Sequence, residues 1–195
     1  MFTFQTATPD DAEQIADIII STGDGIVEHL LEGLVPDLSA SMLLATAFIQ
    51  HEGPYSTNNV LRAQYDGKIV ALLFSYPSTE HKVPPLMESM LPAKRLQAVR
   101  PILERSVPDS LYINSIWITE AYRGKGYGDA LMLEAVSRAR NFGFKRISLF
   151  CWNDNDSALR FYAHKGFSLH EHLPTELIPL EGHRRGGSLL SCTLT

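Results

Sequence analysis

The chain has only two cysteines, Cys151 and Cys192, in 195 residues. Two cysteines cannot build a disulfide framework, and these two lack metal-ligand spacing, so no metal is expected. Each sits in an apolar run, where a buried thiol is the simpler expectation. A disulfide between them is conceivable if their strands are neighbours, but a cytosolic chain would not keep it. Positive charge is also scarce. Lys and Arg number 17 against 22 Asp and Glu, a net charge of -5, which argues against a nucleic-acid partner held through phosphates. A mildly acidic surface suits a cationic small substrate. The longest apolar runs are far too short to cross a bilayer. The first residues show no basic segment followed by an apolar one. No membrane partner is therefore expected, and the cytoplasm is the default location. Repeats and low-complexity segments are absent as well.

Hydrophobic residues make up 45% and charged residues 20% of the chain, the balance of a globular protein. The length suits a single domain over residues 1–195 and is marginal for two. Phe2 to Thr6 alternates as an edge strand. Thr8-Pro9-Asp10-Asp11 starts a helix, with Thr8 as N-cap and acidic residues at the positive end of the dipole. Gly23-Asp24-Gly25 stops it, and Ile26 to Leu34 and Leu38 to Ile49 read as two further helices. Asp66-Gly67 between the apolar runs Val60 to Gln64 and Lys68 to Tyr76 predicts a hairpin whose two turn residues both take positive φ. Residues 77–109 are proline-rich and irregular, with one helix from Ala93 to Glu104. They lack the apolar residues for a core of their own and read as an insertion over a site. Leu111 to Ile118 reads as a central strand, apolar on both faces. Further elements are a helix from Tyr127 to Phe142, a strand from Arg146 to Cys151 and a helix from Asp156 to Lys165 closed by Gly166. Strands from Phe167 to His170 and Ser188 to Thr193 flank a loop, Leu173 to Gly187.

The stretch Arg123-Gly124-Lys125-Gly126-Tyr127-Gly128 joins the central strand to a helix start. Glycine-dense turns of this kind let successive N–H groups point at a phosphate, with the positive end of the helix dipole behind them. A Walker loop would need Ser or Thr directly after Gly124-Lys125, and a Rossmann fingerprint has a different glycine spacing. The pattern that fits is Arg-x-x-Gly-x-Gly, on Arg123, Gly126 and Gly128. A second motif follows one helix and one strand later: Asn155-Asp156-Ser157-Ala158-Leu159-Arg160-Phe161-Tyr162, then Gly166-Phe167.

With both motifs in this order, the chain resembles the GNAT superfamily of acetyl-coenzyme A-dependent N-acetyltransferases. Ile116 to Tyr122 looks like that family's central strand and its approach to the loop, with Glu120 where proline is usual. The resemblance is detailed from Ile113 to Phe167 and says little about residues 77–109 or 173–187. It implies an α/β (α+β) fold: a mixed, mostly antiparallel twisted sheet of about seven strands, helices on both faces and a splayed central strand pair. It also implies acetyl-coenzyme A as co-substrate and transfer of its acetyl group, by direct attack, to a primary amine of a small molecule or a protein. Many relatives dimerise, so a homodimer is conceivable.

Residue by residue, the resemblance implies that the amides of Gly124, Lys125, Gly126, Tyr127 and Gly128 hold the pyrophosphate, with charge from Arg123 and Lys125. A plain tight turn is the alternative for the glycines, and a solvated pair for the two cations. Ile116 and Ile118 would act through their backbone, pairing with pantetheine and polarising the thioester carbonyl. Asn155, with Ser157 beside it, would orient the pantetheine arm, or else Asn155 is simply a helix N-cap. Tyr162 would give the leaving thiolate a proton or hydrogen bond; the alternative is a core tyrosine. No general base stands out among Glu120, Glu80, His81, Glu88, His170 and His172, each of which reads more simply as an exposed loop residue. Trp117 and Trp152 read as core packing. The missing base leaves a non-catalytic acyl-coenzyme A sensor or interaction module as the alternative function.

Overall fold

The computed structural model describes residues 3–178, 180 and 182–194. Among the described residues, seven strands form one sheet in the order β1-β2-β3-β4-β5-β7-β6, and seven α-helices accompany them, the mixed fold implied by the motifs. The strands are β1 (Gln5–Thr6), β2 (Val60–Tyr65), β3 (Lys68–Pro77), β4 (Leu111–Ile118), β5 (Arg146–Trp152), β6 (Ser168–Leu173) and β7 (Gly187–Thr193). The helices are α1 (Ala12–Thr22), α2 (Ile26–Leu31), α3 (Ala40–Gln50), α4 (Pro85–Met90), α5 (Ala93–Glu104), α6 (Tyr127–Asn141) and α7 (Asp156–His164). Phe2, the expected start of the first strand, lies outside the described residues. The residues group into two compact units, 3–75 with 115–134 and 76–114 with 135–194.

In the first unit β1 pairs antiparallel with β2, and β2 with β3. The β2–β3 turn is the expected one, with Asp66 at φ 50° and Gly67 at φ 71°; this primed turn matches the twist of the two strands. Gln14 of α1 clamps it, donating to the Gly67 carbonyl at 3.3 Å and accepting from the Ile69 amide at 3.0 Å. α1 buries Ile15, Ala16, Ile18 and Ile19 and packs on α3, whose Leu44, Ala45 and Phe48 are buried. α2 ends at Leu31, three residues short of the expected Leu34, because Glu32 is already extended and Gly33 takes φ 66°. Thr8 caps the first turn through a capping box with Asp11. Asp11 is buried, and it also accepts from Arg62 Nε and Gln64 Nε2 at 2.8 Å each, so one carboxylate ties the helix entry to β2.

In the second unit β4 and β5 run parallel, paired at Leu111–Ile147, Tyr112–Ser148 and Ile113–Leu149. The ladder stops there, although β4 continues to Ile118 and β5 to Trp152. β7 lies between β5 and β6 and is antiparallel to both. The expected insertion folds as α4 and α5, and α5 has the expected limits. It buries Leu96, Val99 and Ile102. Cys192 faces Ile147 and Cys151 faces Ser188, four positions apart along the same strand pair. The two thiols are therefore apart and not joined in a disulfide.

The Asp11 cluster sets one expectation. Burial pushes its carboxyl up, but the Thr8 amide, Arg62 and the Thr8 hydroxyl together outweigh burial and hold it below the usual carboxylate range. This stabilisation is complete above the unfolded carboxylate pKa and is lost as pH falls through the lower folded value. Asp11→Ala leaves the half-buried Arg62 without its charge partner and should cost about 3 kcal/mol in urea unfolding at pH 7. The deficit should narrow in parallel measurements near pH 3.

Candidate active site

The candidate site residues are carried by both units. In the first, Thr119 N–H donates to the Val70 carbonyl of β3 at 3.0 Å. Strand amides alternate between the two edges, so the amides of Ile116 and Ile118 turn to the edge of β4 away from β3. Both side chains are half-buried, so the backbone is the part of each that can meet a ligand at that edge. Past β4, a single 3-10 turn over Glu120–Tyr122 leads to the glycine stretch. Gly124 and Gly126 take φ 70° and 82°, and a Cβ at either would meet nothing within 4 Å. The positive φ demands glycine, and the space above both is open. α6 begins at Tyr127, so the turn runs directly into a helix N-terminus. A turn that runs into a helix N-terminus favours an anionic group, through the backbone N–H groups of the first turn and the dipole's positive end.

The two cations of the turn fold back on it. Arg123 Nε donates to the Ile118 carbonyl at 3.1 Å, and Lys125 Nζ donates to the Ala121 carbonyl at 2.8 Å, 5.3 Å above the Tyr122 ring. In this arrangement they brace the loop. Trp117, expected in the core, is half-buried and lines a shallow groove of about 560 Å3 with Gln14, Asp17, Ile18 and the β2–β3 turn.

In the second unit, Asn155 is the N-cap of α7. Its Oδ1 accepts from the Ala158 amide and the Ser157 hydroxyl, both at 3.1 Å. The capping alternative is therefore realised, and Ser157 is its partner. Tyr162 sits in the middle of α7 with its ring against Phe161 and Phe167. The residue is half-buried overall, yet its phenol is strongly desolvated. That desolvation, with the Cys151 thiol nearby, raises its pKa well above the usual tyrosine value. The group stays protonated at every physiological pH and remains a hydrogen-bond donor.

The base candidates separate. Glu120 is exposed, Glu88 is paired with Arg100 at 2.6 Å, and His170 is exposed. His172 is exposed and meets Asn153 at 3.3 Å. His81 is not the loop residue expected. It is buried, lies between the Tyr76 hydroxyl at 3.1 Å and the Ile102 carbonyl at 2.8 Å, and stacks on Tyr112 at 3.8 Å. Burial lowers its pKa to about 4, so it is neutral and enclosed. Two features escaped the sequence reading. His183 stacks on Trp152 at 3.7 Å, with Nδ1 3.4 Å from the Asp154 carboxylate. Asn114 is an exposed residue within β4, between buried Ile113 and Ser115. The apolar reading of that strand passed over it, although a polar residue inside an apolar strand is a legible signal.

The family model of the acetyltransferase (GNAT) family matches residues 35–167. The chain belongs to this family of N-acetyltransferases. Over 56 residues it is 41% identical to mycothiol acetyltransferase of Corynebacterium efficiens, a match covering 29% of this chain and 19% of that protein. Over 66 residues it is 41% identical to N-alpha-acetyltransferase 80 of Mus musculus, covering 33% of this chain and 19% of that protein. The chain thus spans about a fifth of these curated relatives. Among solved structures, an N-acetyltransferase from Staphylococcus aureus Mu50 superposes with a TM-score of 0.68 at 21% identity, over 97% of this chain and 99% of that one. The ribosomal-protein-S18-alanine N-acetyltransferase of Escherichia coli does so at 0.58 and 14% identity, over 100% and 95%. At these identities the likeness is one of fold. No group of three or more potential metal ligands occurs among the described residues, and no helix among them is long and apolar enough to cross a membrane.

The state of Tyr162 can be read directly. In a spectrophotometric alkaline titration, Tyr162→Phe should remove one phenol that ionises above the ordinary tyrosine range. Loss instead of a tyrosine titrating near pH 10 would contradict the desolvated setting.

Proposed function

We propose that the chain transfers the acetyl group of acetyl-coenzyme A to a primary amine, carried by a small molecule or a protein, by direct attack within a ternary complex. The observation that carries this reading is the open glycine turn of Gly124 and Gly126 at the start of α6, in a chain of the GNAT family. The amides of Gly124 to Gly128 hold the pyrophosphate, with Arg123 and Lys125 available to swing outward. The Ile116 and Ile118 amides pair with pantetheine and polarise the thioester carbonyl, where charge develops in the transition state. Asn155 and Ser157 fix the start of α7, and so place Tyr162.

The amine nitrogen attacks the thioester carbon and the C–N bond forms. The tetrahedral intermediate collapses with cleavage of C–S, and the sulfur leaves as a thiolate. The amine must be neutral to attack, and C–N bond formation leaves its nitrogen with a second proton to lose; both protons depart to water. Tyr162 meets the thiolate as a protonated phenol. Its raised pKa makes it a persistent donor that stabilises negative charge on sulfur, and full proton transfer is not required. Residues 26–49, 77–109 and 173–187 are the segments that select the acceptor.

Acetyl-coenzyme A and a broad panel of primary amines, followed by free-thiol release, test the reaction. Turnover with at least one amine is expected. Tight binding of acetyl-coenzyme A without turnover would instead favour a sensor. Tyr162→Phe should lower kcat about 100-fold with little change in acetyl-coenzyme A affinity, and equal rates would remove Tyr162 from the mechanism. Gly126→Val strains a φ of 82° and fills the cradle. It should weaken acetyl-coenzyme A binding about tenfold or more in calorimetry.

A further inference from the structure

Every residue of α2, Ile26–Leu31, is buried or half-buried. An acidic residue in so short a helix ordinarily turns to water, because taking a carboxylate out of water is costly. Glu28 does not. The residue is half-buried, and its Oε2 atom is buried and accepts no hydrogen bond from any described residue. Buried polar atoms of native proteins are nearly always paired, and buried charges meet an opposite charge. Glu28 Oε2 departs from both rules.

Two local explanations fall short. Glu28 is the third residue of α2, the position from which a Glu side chain reaches back to the N-cap amide in a capping box. Here the N-cap is Gly25, which has no side chain to complete the box, and Oε2 accepts no N–H. An acidic first turn also gains from the helix dipole. Yet α2 is shorter than two turns, and that gain is small beside the cost of a buried, unpaired oxygen.

The chain does fix where this oxygen lies in the fold. α1 ends over β4, where the Thr22 and Ser115 hydroxyls lie 3.4 Å apart. Ser115 directly precedes Ile116. A tight turn follows Thr22, closed by the Ile26 amide on the Gly23 carbonyl at 3.1 Å, with Asp24 and Gly25 at φ 48° and 86°. α2 begins at once, so Glu28 is carried on the segment that leaves β4 beside Ile116. All of these residues belong to the first unit, as do Ile118 and the glycine turn.

We propose that the Glu28 carboxylate receives a cationic group of the acceptor substrate, an alkylammonium or a guanidinium. The inference rests on the amine-acetyltransferase reading above. Such a group brings the two things that no described residue gives Oε2, an N–H donor and a positive charge. Together they make the stronger, charge-assisted kind of hydrogen bond. The cation is either the amine to be acetylated, held before it loses its proton, or a second charge on the same molecule. In both cases Glu28 binds and orients the acceptor and forms no bond to the reacting atoms. The net charge of -5 favours the approach of such a molecule.

Calorimetry on the full chain tests this, with coenzyme A present in place of the acetylated donor and with n-butylamine, 1,4-diaminobutane and 4-guanidinobutylamine as probes. Glu28→Gln should weaken binding of the two dications about tenfold or more. Glu13→Gln, the same charge change at an exposed site of α1, should leave it within twofold. An equal loss for n-butylamine assigns Glu28 to the reacting ammonium, and an unchanged n-butylamine affinity assigns it to the second charge. Equal affinities of the parent and Glu28→Gln for all the probes would overturn the proposal, as would a parent that binds none of them. Urea unfolding without amine adds a readout that a structural role would move the other way. The Glu28→Gln midpoint should lie at or above the parent's, because a buried charge without a partner is removed. A clear drop would mean that the carboxylate supports the fold, and the proposal would fall. A parent that binds the dications through Glu28 but acetylates no amine removes the reaction and leaves the cation site. An active enzyme whose amine kcat/KM changes less than twofold in Glu28→Gln sinks only the inference.

Discussion

The parallel pairing of β4 with β5 is the constraint on which the rest of this molecule depends. Antiparallel neighbours can be joined by two residues, as Asp66 and Gly67 join β2 and β3. Parallel neighbours need a crossover of a dozen residues or more. Here the crossover is α6, and the chain must leave β4, turn and begin a helix within a few residues. The glycine turn is the local solution, since Gly124 and Gly126 supply two positive φ values that other residues adopt only at a cost. A topological requirement thereby puts the glycine turn directly at a helix start, a position that favours an anionic group.

Much of this was legible along the chain. The limits of β4 and α5, the primed turn and the helix closed by Gly166 all rest on local chemistry: apolar runs, an Asp-Gly pair and a φ that favours glycine. The glycine turn was legible for the same reason, because its residues are consecutive. Asn155 was readable only as a pair of alternatives, and its bonds to Ser157 and Ala158 show the capping one in place.

What escaped was non-local. Tyr76 meets Asn114 across 38 positions and His81 meets Ile102 across 21, and nothing in the spacing of those residues marks them as partners. His81 looked like an exposed loop histidine because its neighbours are prolines and polar residues, yet α5 folds over it. Trp152 and His183 stack across a loop whose path carries no pattern. Trp117 looked like core from its apolar flanks, but only the placement of α1 and the β2–β3 turn leaves its face over a groove.

The position of β7 has a consequence for how the protein is made. β7 follows β6 in the chain but lies between β5 and β6 in the sheet, and every ladder bond of β6 is to β7. On a ribosome, β6 emerges first and has no template to dock on until Gly187–Thr193 has also left the exit tunnel. The segment carrying Tyr162 therefore packs against a sheet that is still open at β5. A nascent chain stalled before β7 would present the bare edge of β5 to chaperones.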